Sequence, residues 1–183
     1  MLPVSRLHRH VGMGGDQFVQ AVAGKRVEDE HGDAVRERWE KLFDETIDEI
    51  APLAGARKLM VELKARGHPV VFASSAIGKH VEHFLDLLDA REVVDAWTTK
   101  EDVDSSKPEP DLIQAALSKV VASDGVVVGD TPWDVHAARR AGLETICVLT
   151  GGFAEAELRA AGAMEVYESV AELRADLDRT PLA

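Results

Sequence analysis

The sequence predicts an α/β fold in which helices cover both faces of a parallel sheet, preceded by a small all-helical region. From about residue 53 onward, short apolar runs alternate with segments of helical periodicity, which is typical of strand–helix–strand crossover units. Before that point no β-like run occurs, and apolar residues recur at helical spacing. We therefore expect a helical region over residues 1–52 and a three-layer α/β core over residues 53–183.

The helical region is predicted from two amphipathic stretches. The segment GGDQFVQAVAG places Phe18 and Val22 on one helix face, and Asp16 is expected to cap this helix. The segment DAVRERWEKLFDETIDEIAPL predicts a second helix that cannot continue through Pro52, because proline lacks a backbone donor and clashes with the preceding turn. Between them, the acid-rich stretch 28–33 is expected to be a solvent-exposed connection between helices.

The core is predicted to contain four strands that alternate with five helices. Each strand is a short run rich in β-branched and apolar residues, bounded by turn residues. The strands are expected at HPVVFAS, VVDAWTT, DGVVVGD and ETICVLT, and the helices near 55–66, 77–88, 110–121, 133–141 and 154–161. Because this alternation requires crossover connections, the sheet is expected to be parallel.

Charge and composition exclude several classes of partner. Asp and Glu total 33 against 21 Lys and Arg, a formal net charge of −12, so no basic field attracts a polyanion and we expect no nucleic-acid partner. No apolar run approaches the about 18 residues that a membrane helix needs, so we expect no membrane partner. The single cysteine, Cys147, lies in an apolar run and is expected to be a buried structural thiol in the reducing cytoplasm.

Polar residues follow three of the predicted strands, at the sheet edge where open parallel sheets bind ligands. Ser74 and Ser75 follow the first strand, where hydroxyl and N–H groups suit an anion, although a serine there equally suits a helix N-cap. Lys107 follows the second strand in a loop that prolines restrict. Asp130 and Asp134 follow the third strand and offer the hard oxygen ligands that Mg²⁺ prefers; a simple helix cap at Asp130 is the alternative.

In this order, the strand ending in Ser74, the segment KPEPD and the segment GDTPWDVHAARRAG resemble the haloacid dehalogenase superfamily of hydrolases. The resemblance is to members with an α-helical cap, such as phosphoglycolate phosphatase and β-phosphoglucomutase. It implies a Rossmann-like core over 53–183, a partial helical cap over 1–52, and Mg²⁺-dependent phosphatase activity on a small phosphorylated metabolite.

The resemblance also implies roles for the residues of the core. Ser74 would bind a phosphoryl oxygen with help from the backbone N–H of Ser75. Lys107 would neutralise the charge of the nucleophile and of the phosphoryl group, which suits a reaction that depends on positioning and charge stabilisation. Asp130 would bind Mg²⁺ directly, and Asp134 would order either the water shell of the ion or Lys107.

The cap is expected to contribute residues as well. The resemblance makes Arg9, His10 and Gly12 candidates for contacting the substrate when the cap closes over the core, a motion that would exclude water. A zinc site at His8 and His10 is disfavoured, because the further ligands that zinc needs are not evident in the sequence.

One defining element of the family is missing from the sequence. Its members begin with a strand that ends in Asp-x-Asp-Gly-Thr, whose first Asp attacks phosphorus and whose second protonates the leaving group. The Asp-x-Asp at Asp102-Val103-Asp104 lacks the Gly-Thr and lies in the loop that carries Lys107, so we do not assign it that role. Because the missing strand belongs at the centre of the sheet, its two neighbours are expected to lose hydrogen-bond partners.

Two hypotheses follow from this gap. In the first, the nucleophile segment lies upstream of Met1, which agrees with the cap-like character of LHRHVGMGG. In the second, the chain is a non-catalytic remnant that binds phosphate, metal or a partner protein. In both, the printed chain alone is expected to be inactive, and its uncovered sheet makes pairing with a second copy possible.

Other chemistries are less well supported by the sequence. A sugar-phosphate mutase stays open as a lesser alternative. A dehalogenase generally lacks the first carboxylate of the last motif, and a two-component receiver domain places its acids before the hydroxyl residue. A phosphonate hydrolase needs a cap lysine of lowered pKa, which the surroundings of Lys25 and Lys41 do not suggest.

Overall fold

The computed structural model describes residues 2–122 and 124–183. The chain separates into two units, Met1–Ala51 and Pro52–Ala183. The first is built of helices and the second alternates helices with strands, so the predicted α/β fold class is confirmed. Within the described residues, we find no helix with the length and apolar character needed to span a bilayer.

The described part of the N-terminal unit, from residue 2 onward, contains three α-helices. They are α1 (Val4–His8), α2 (Gly15–Ala23) and α3 (Lys25–Thr46), and a short 3-10 turn follows α3. Helix α2 packs against α3 and buries Val19 and Val22. The apolar residues that make α3 amphipathic are only partly covered, since large side chains on it stay exposed, namely Val35, Trp39 and Leu42.

Helix α2 begins differently from the prediction. The expectation that Asp16 caps this helix is wrong, because Gly14 holds the N-cap position with an extended backbone. Asp16 lies inside the first turn instead. A negative charge is favourable there, since it interacts with the positive end of the helix dipole.

The acid-rich stretch 28–33 is helical, so its prediction as a connection is also wrong. It lies within the first half of α3, which is continuous. Pairing of opposite charges along the helix explains the difference. Arg36 donates at 2.8 Å to Asp33, three residues before it, and a pair at this spacing stabilises a helix by about 0.2–0.5 kcal/mol. It also donates at 2.8 Å to Glu28, eight residues before it.

In the second unit, the described residues form five strands in two parallel sheets. The first sheet pairs β1 (Val71–Phe72) with β2 (Ala96–Trp97). The second has the order β3 (Val126–Gly129), β4 (Glu144–Val148), β5 (Glu165–Tyr167). All four predicted strands are present, and β5 is an additional strand that was not predicted.

Among residues 52–122 and 124–183, six α-helices accompany these strands. The first five lie within a few residues of their predicted positions, and the sixth was not predicted. They are α4 (Ala56–Ala65), α5 (Gly78–Leu87), α6 (Asp111–Ser118), α7 (Pro132–Arg140), α8 (Glu155–Ala161) and α9 (Val170–Ala175).

Strand β4 shows the three-layer arrangement, because its successive side chains point to opposite faces. Ile146 and Val148 pack with residues of α4 and α9. Cys147 points to the other face and packs with residues of α7 and α8. Cys147 is fully buried, as predicted for a structural thiol, and burial raises its pKa to about 12, with the charges of Asp134 and Asp130 acting in the same direction.

In the part of the chain that the structure describes, no strand of the first sheet pairs with a strand of the second. Val70, directly before β1, and Val126, at the start of β3, pack against the same apolar cluster beneath α4. Among the described strands, β3 pairs with β4 alone, and Val128 stays 39% exposed in a strand that is entirely apolar. An apolar strand of this kind is typical of the buried interior of a parallel sheet. The separation of the strands into two sheets therefore agrees with the expected loss of a central strand.

Candidate functional site

The turn between β3 and α7 contains the first part of the site. Gly129 ends β3, Asp130 follows, and α7 begins at Pro132 with Thr131 as its N-cap. Asp134 completes a capping box, because its carboxylate accepts from the backbone N–H of Thr131 while its own N–H donates to the Thr131 hydroxyl. The helix is thus capped by Thr131, and the alternative that Asp130 is a simple cap is wrong.

Asp134 is buried and surrounded by donors. Its Oδ1 accepts from Lys107 Nζ at 2.8 Å. Its Oδ2 accepts from the N–H of Asp130 at 3.2 Å, and from the N–H and hydroxyl of Thr131 at 2.9 and 2.8 Å. Burial alone would raise the pKa of Asp134, but the Lys107 ammonium and these hydrogen bonds lower it below its usual value. Asp134 is therefore an ionised anchor for Lys107.

Lys107 is held through its own loop as well as through its ammonium. Arg140, at the end of α7, donates to the carbonyl oxygen of Pro108 at 3.1 Å and to the carboxylate of Glu109 at 2.5 Å. The Lys107 loop is thus bound to both ends of α7, at Asp134 and at Arg140. This double attachment fixes the ammonium next to the end of β3.

Asp130 is contacted by the turn that follows β4. Its Oδ2 accepts from the hydroxyl of Thr150 at 2.8 Å. Burial raises the pKa of Asp130, and the charge of Asp134 adds to this, while Thr150 and Lys107 act in the opposite direction. A half-buried carboxylate of raised pKa next to a second carboxylate favours the approach of a cation.

The donor set fits a magnesium ion better than a zinc or calcium ion. Within residues 2–122 and 124–183, no group of three or more His, Cys, Asp and Glu side chains is arranged to hold a metal. Zinc and calcium need several protein ligands, whereas Mg²⁺ keeps several waters and binds through one or two carboxylates together with a phosphate. Asp130 suits such a ligand, and the donors around Asp134 favour its anchoring of Lys107. The metal roles of both residues stay predictions.

Ser74 lies in the turn after β1. Its N–H donates to the hydroxyl of Thr98 at 2.9 Å, and that hydroxyl donates to the Ser74 carbonyl oxygen at 2.8 Å. The Ser74 hydroxyl accepts from the N–H of Ala76 at 3.1 Å, and a hydroxyl that accepts in this way can still donate its proton to a phosphoryl oxygen. The phosphate-binding roles of Ser74 and Ser75 stay predictions.

The three predicted cap residues belong to the N-terminal unit. Arg9 follows the last turn of α1 and is exposed. His10 Nδ1 lies 2.9 Å from the carbonyl oxygen of Arg6, and Gly12 adopts a positive φ of 99°. Contact of Arg9, His10 and Gly12 with a substrate stays a prediction.

Three residues of this region were not predicted. Thr131 and Arg140 position Asp134 and the Lys107 loop, and Thr150 contacts Asp130. Thr150 could have been identified from the sequence, because it ends the predicted strand segment ETICVLT at the same sheet edge as the other candidates. Arg140 had no comparable signal, since an arginine near the end of a helix usually interacts with the helix dipole.

Comparison with known proteins identifies the family of this chain. Residues 2–148 match a family model described as haloacid dehalogenase-like hydrolase. The validoxylamine A 7′-phosphate phosphatase of Streptomyces hygroscopicus subsp. limoneus is 28% identical over 167 residues, which cover 83% of this chain and 78% of that protein. Pyrophosphatase PpaX of Bacillus cereus (strain B4264) is 33% identical over 89 residues, so this chain spans only 41% of its length.

A solved structure extends the comparison to the fold. The crystal structure of a hydrolase from Pseudomonas syringae matches with a TM-score of 0.89 and 30% identity, covering 98% of this chain and 84% of that one. The fold is therefore shared, over nearly the whole of this chain, with a hydrolase of known structure. The chain belongs to the haloacid dehalogenase-like hydrolase family.

Proposed function

We propose that this chain is the larger part of a Mg²⁺-dependent phosphatase that hydrolyses a small phosphorylated metabolite. The observation that carries the proposal is the cluster at the end of β3, in which Lys107 contacts Asp134 at 2.8 Å beside the half-buried Asp130. An ammonium anchored by one carboxylate, with a second carboxylate close enough to feel its charge, suits a doubly charged phosphoryl group together with a divalent cation.

Each residue has a distinct task in this proposal. Lys107 neutralises charge on the phosphoryl group, and Asp134 keeps the ammonium in place because it is ionised and buried. The hydroxyl of Ser74 donates a hydrogen bond to a phosphoryl oxygen, and the N–H of Ser75 assists it. Asp130 holds the Mg²⁺ ion, which when bound supplies further positive charge next to the phosphoryl oxygens.

The substrate class follows from the carboxylates and from the relatives. An enzyme that attacks carbon has no use for a cation-binding carboxylate at position 130, whereas a phosphatase does. A relative that matches most of this chain is named a phosphatase of a 7′-phosphate, which supports a phosphate ester as the substrate class.

We place the enzyme in the cytoplasm, since its buried Cys147 needs no oxidising compartment.

The attacking carboxylate is supplied by a strand that is not in this sequence. We place that strand between β1 and β3, because the two sheets lie side by side beneath α4 without pairing and Val128 is exposed. The printed chain alone therefore has little or no turnover. The alternative is a remnant that keeps the binding cluster without catalysis, alone or as a homo-oligomer.

The test compares two chains with a chromogenic phosphate ester. One is the printed chain, and the other is extended by the in-frame residues encoded upstream of Met1. We expect Mg²⁺-dependent turnover only in the extended chain, and a loss of about 100- to 1,000-fold in its Lys107→Met variant. Lys119→Met is the matched control, because Lys119 forms a 2.8 Å ion pair with Asp102 outside the cluster.

The outcomes separate the hypotheses. Equal and substantial turnover in both chains would show that the chemistry has been misassigned. An upstream stop codon, or an extended chain that binds orthovanadate with Mg²⁺ but does not turn over, would favour the remnant. Retention of full activity in Lys107→Met would exclude the proposed role of this cluster.

A further inference from the structure

We propose that Thr150 is a positioning residue that orients the Asp130 carboxylate toward a divalent cation. This inference rests on the proposed function, because it concerns the residue to which that function assigns the cation. Thr150 lies in a short 3-10 turn that directly follows β4, and its side chain reaches the segment that directly follows β3. The two segments are neighbours because β3 and β4 pair in parallel register, with Gly129 opposite Cys147.

The hydrogen bond from Thr150 fixes one oxygen of the carboxylate. Thr150 Oγ1 donates to Asp130 Oδ2 at 2.8 Å, which restricts rotation of the carboxylate about its terminal bond. We assign the other oxygen, Oδ1, to the cation. A carboxylate that is already held in one orientation loses less conformational entropy when it binds an ion.

The backbone of the same turn fixes the other end of Asp130. A Cβ atom added at Gly151 would lie 2.2 Å from the Asp130 carbonyl oxygen and 3.1 Å from its Cγ, so this turn passes directly against Asp130. Contact with the main chain from Gly151 and with the side chain from Thr150 leaves Asp130 little freedom. Thr150 itself is exposed, which makes its replacement compatible with the fold.

The expected size of the effect follows from other metal sites. Removing a group that hydrogen-bonds to a metal ligand typically reduces metal affinity about 10- to 100-fold. We therefore expect Thr150→Val, which keeps the shape of the side chain but lacks the hydroxyl, to weaken cation binding by that factor. Thr150→Ser keeps the hydroxyl and should restore binding to within about threefold of the parent, since a hydrogen bond of similar geometry is retained.

The experiment measures cation binding directly and does not depend on turnover. Mn²⁺ is titrated into the printed chain, free Mn²⁺ is measured by electron paramagnetic resonance, and Mg²⁺ is added as competitor. The series contains Thr150→Val, Thr150→Ser, Asp130→Asn and the remote control Thr46→Val, whose hydroxyl contacts only the backbone of α3. Thermal unfolding of each variant verifies that the fold is intact.

The variants distinguish failure of this inference from failure of the proposed function. Loss of binding in Asp130→Asn together with unchanged binding in Thr150→Val would overturn the positioning role and keep the metal site. Unchanged binding in Asp130→Asn would overturn the metal site and with it the inference. Equal weakening in Thr150→Val and Thr46→Val, or no recovery in Thr150→Ser, would also contradict the role of the Thr150 hydroxyl.

Discussion

Asp134 combines two tasks in a single carboxylate. One oxygen accepts the Lys107 ammonium, and the other closes the capping box of α7 through Thr131. The same side chain also leaves no room at Gly129, where an added Cβ would lie 2.5 Å from Asp134 Cβ. Fold and site are therefore coupled at this residue, and a substitution in the cluster changes stability as well as chemistry.

Lys107→Met should lower the free energy of unfolding by about 2–3 kcal/mol at neutral pH. Removal of the ammonium leaves Asp134 buried with only the Thr131 and Asp130 donors. The measurement is urea unfolding followed by circular dichroism. Lys119→Met, which breaks a more exposed ion pair, should cost less than about 1 kcal/mol.

The effect of Lys107→Met should also depend on pH. Lys107 and the hydrogen bonds hold the pKa of Asp134 below its ordinary value of 3.8. The stability that ionised Asp134 contributes is therefore fully present above pH 3.8. It is lost as the pH falls through the lower pKa of the folded state. In the variant, burial acts without the ammonium and favours protonation at higher pH. The difference between the two proteins should shrink on acidification toward pH 4, and a difference that grows would contradict the ion pair.

At the scale of elements, the two-residue strands β1 and β2 depend on a side chain outside both. Asp95 Oδ2 accepts from the N–H of Val70 at 2.7 Å, and Asp95 Oδ1 accepts from Lys64 of α4 at 2.5 Å. The backbone N–H of Asp95 donates to the Val70 carbonyl oxygen at 2.8 Å. Asp95 thus joins the start of β1 to α4, which compensates for a very short hydrogen-bond ladder.

Asp95→Ala should lower the free energy of unfolding by about 1–2 kcal/mol, because a charge-assisted bond to a backbone N–H is lost. Lys64→Met removes only a half-exposed ion pair and should cost below about 1 kcal/mol. Thermal unfolding at neutral pH compares the two. Equal costs would mean that the ion pair, and not the bond to Val70, stabilises the start of β1.

Much of the order of helices and strands was predictable, since the spacing of apolar residues in a long run distinguishes a helix from a strand. The additional strand β5 and helix α9 were not predicted, because three and six residues give too little periodicity. Charge pairs within α3 could not be inferred from a run of acids alone.

In the site, chain order and strand ends located Lys107, Asp130 and Asp134, whereas the Arg140 contact depends on how α7 lies against a loop distant in sequence.

At the scale of the whole molecule, the two units are joined by an exposed segment without regular structure. Residues 50–54 are exposed, and Leu53 is among the exposed large apolar side chains. The second unit contains its own apolar clusters, which involve both faces of its second sheet. The second unit therefore has the features of a separately stable body that is connected to the first unit by a cleavable link.

Thermolysin, which cleaves before large apolar residues, should cut first within residues 50–54 and release a stable fragment of the second unit. Mass spectrometry of a short digestion identifies the bond. Leu53→Ser should slow this cut by removing a favoured residue, whereas Leu2→Ser, at an exposed position elsewhere, should not. First cleavage within α4 or α7 would contradict the assignment of the link.

The split between the two sheets has a consequence for how a complete enzyme assembles. A strand that enters between β1 and β3 would form ladders along both of its sides, whereas a strand added at an outer edge forms only one. Ordering its backbone costs about 1–2 kcal/mol per residue, and burial of apolar side chains between two helical layers opposes that cost. In the proposed complete enzyme, the two half-sheets would act as a preformed template, and the attacking group would arrive in place at the moment the core becomes whole.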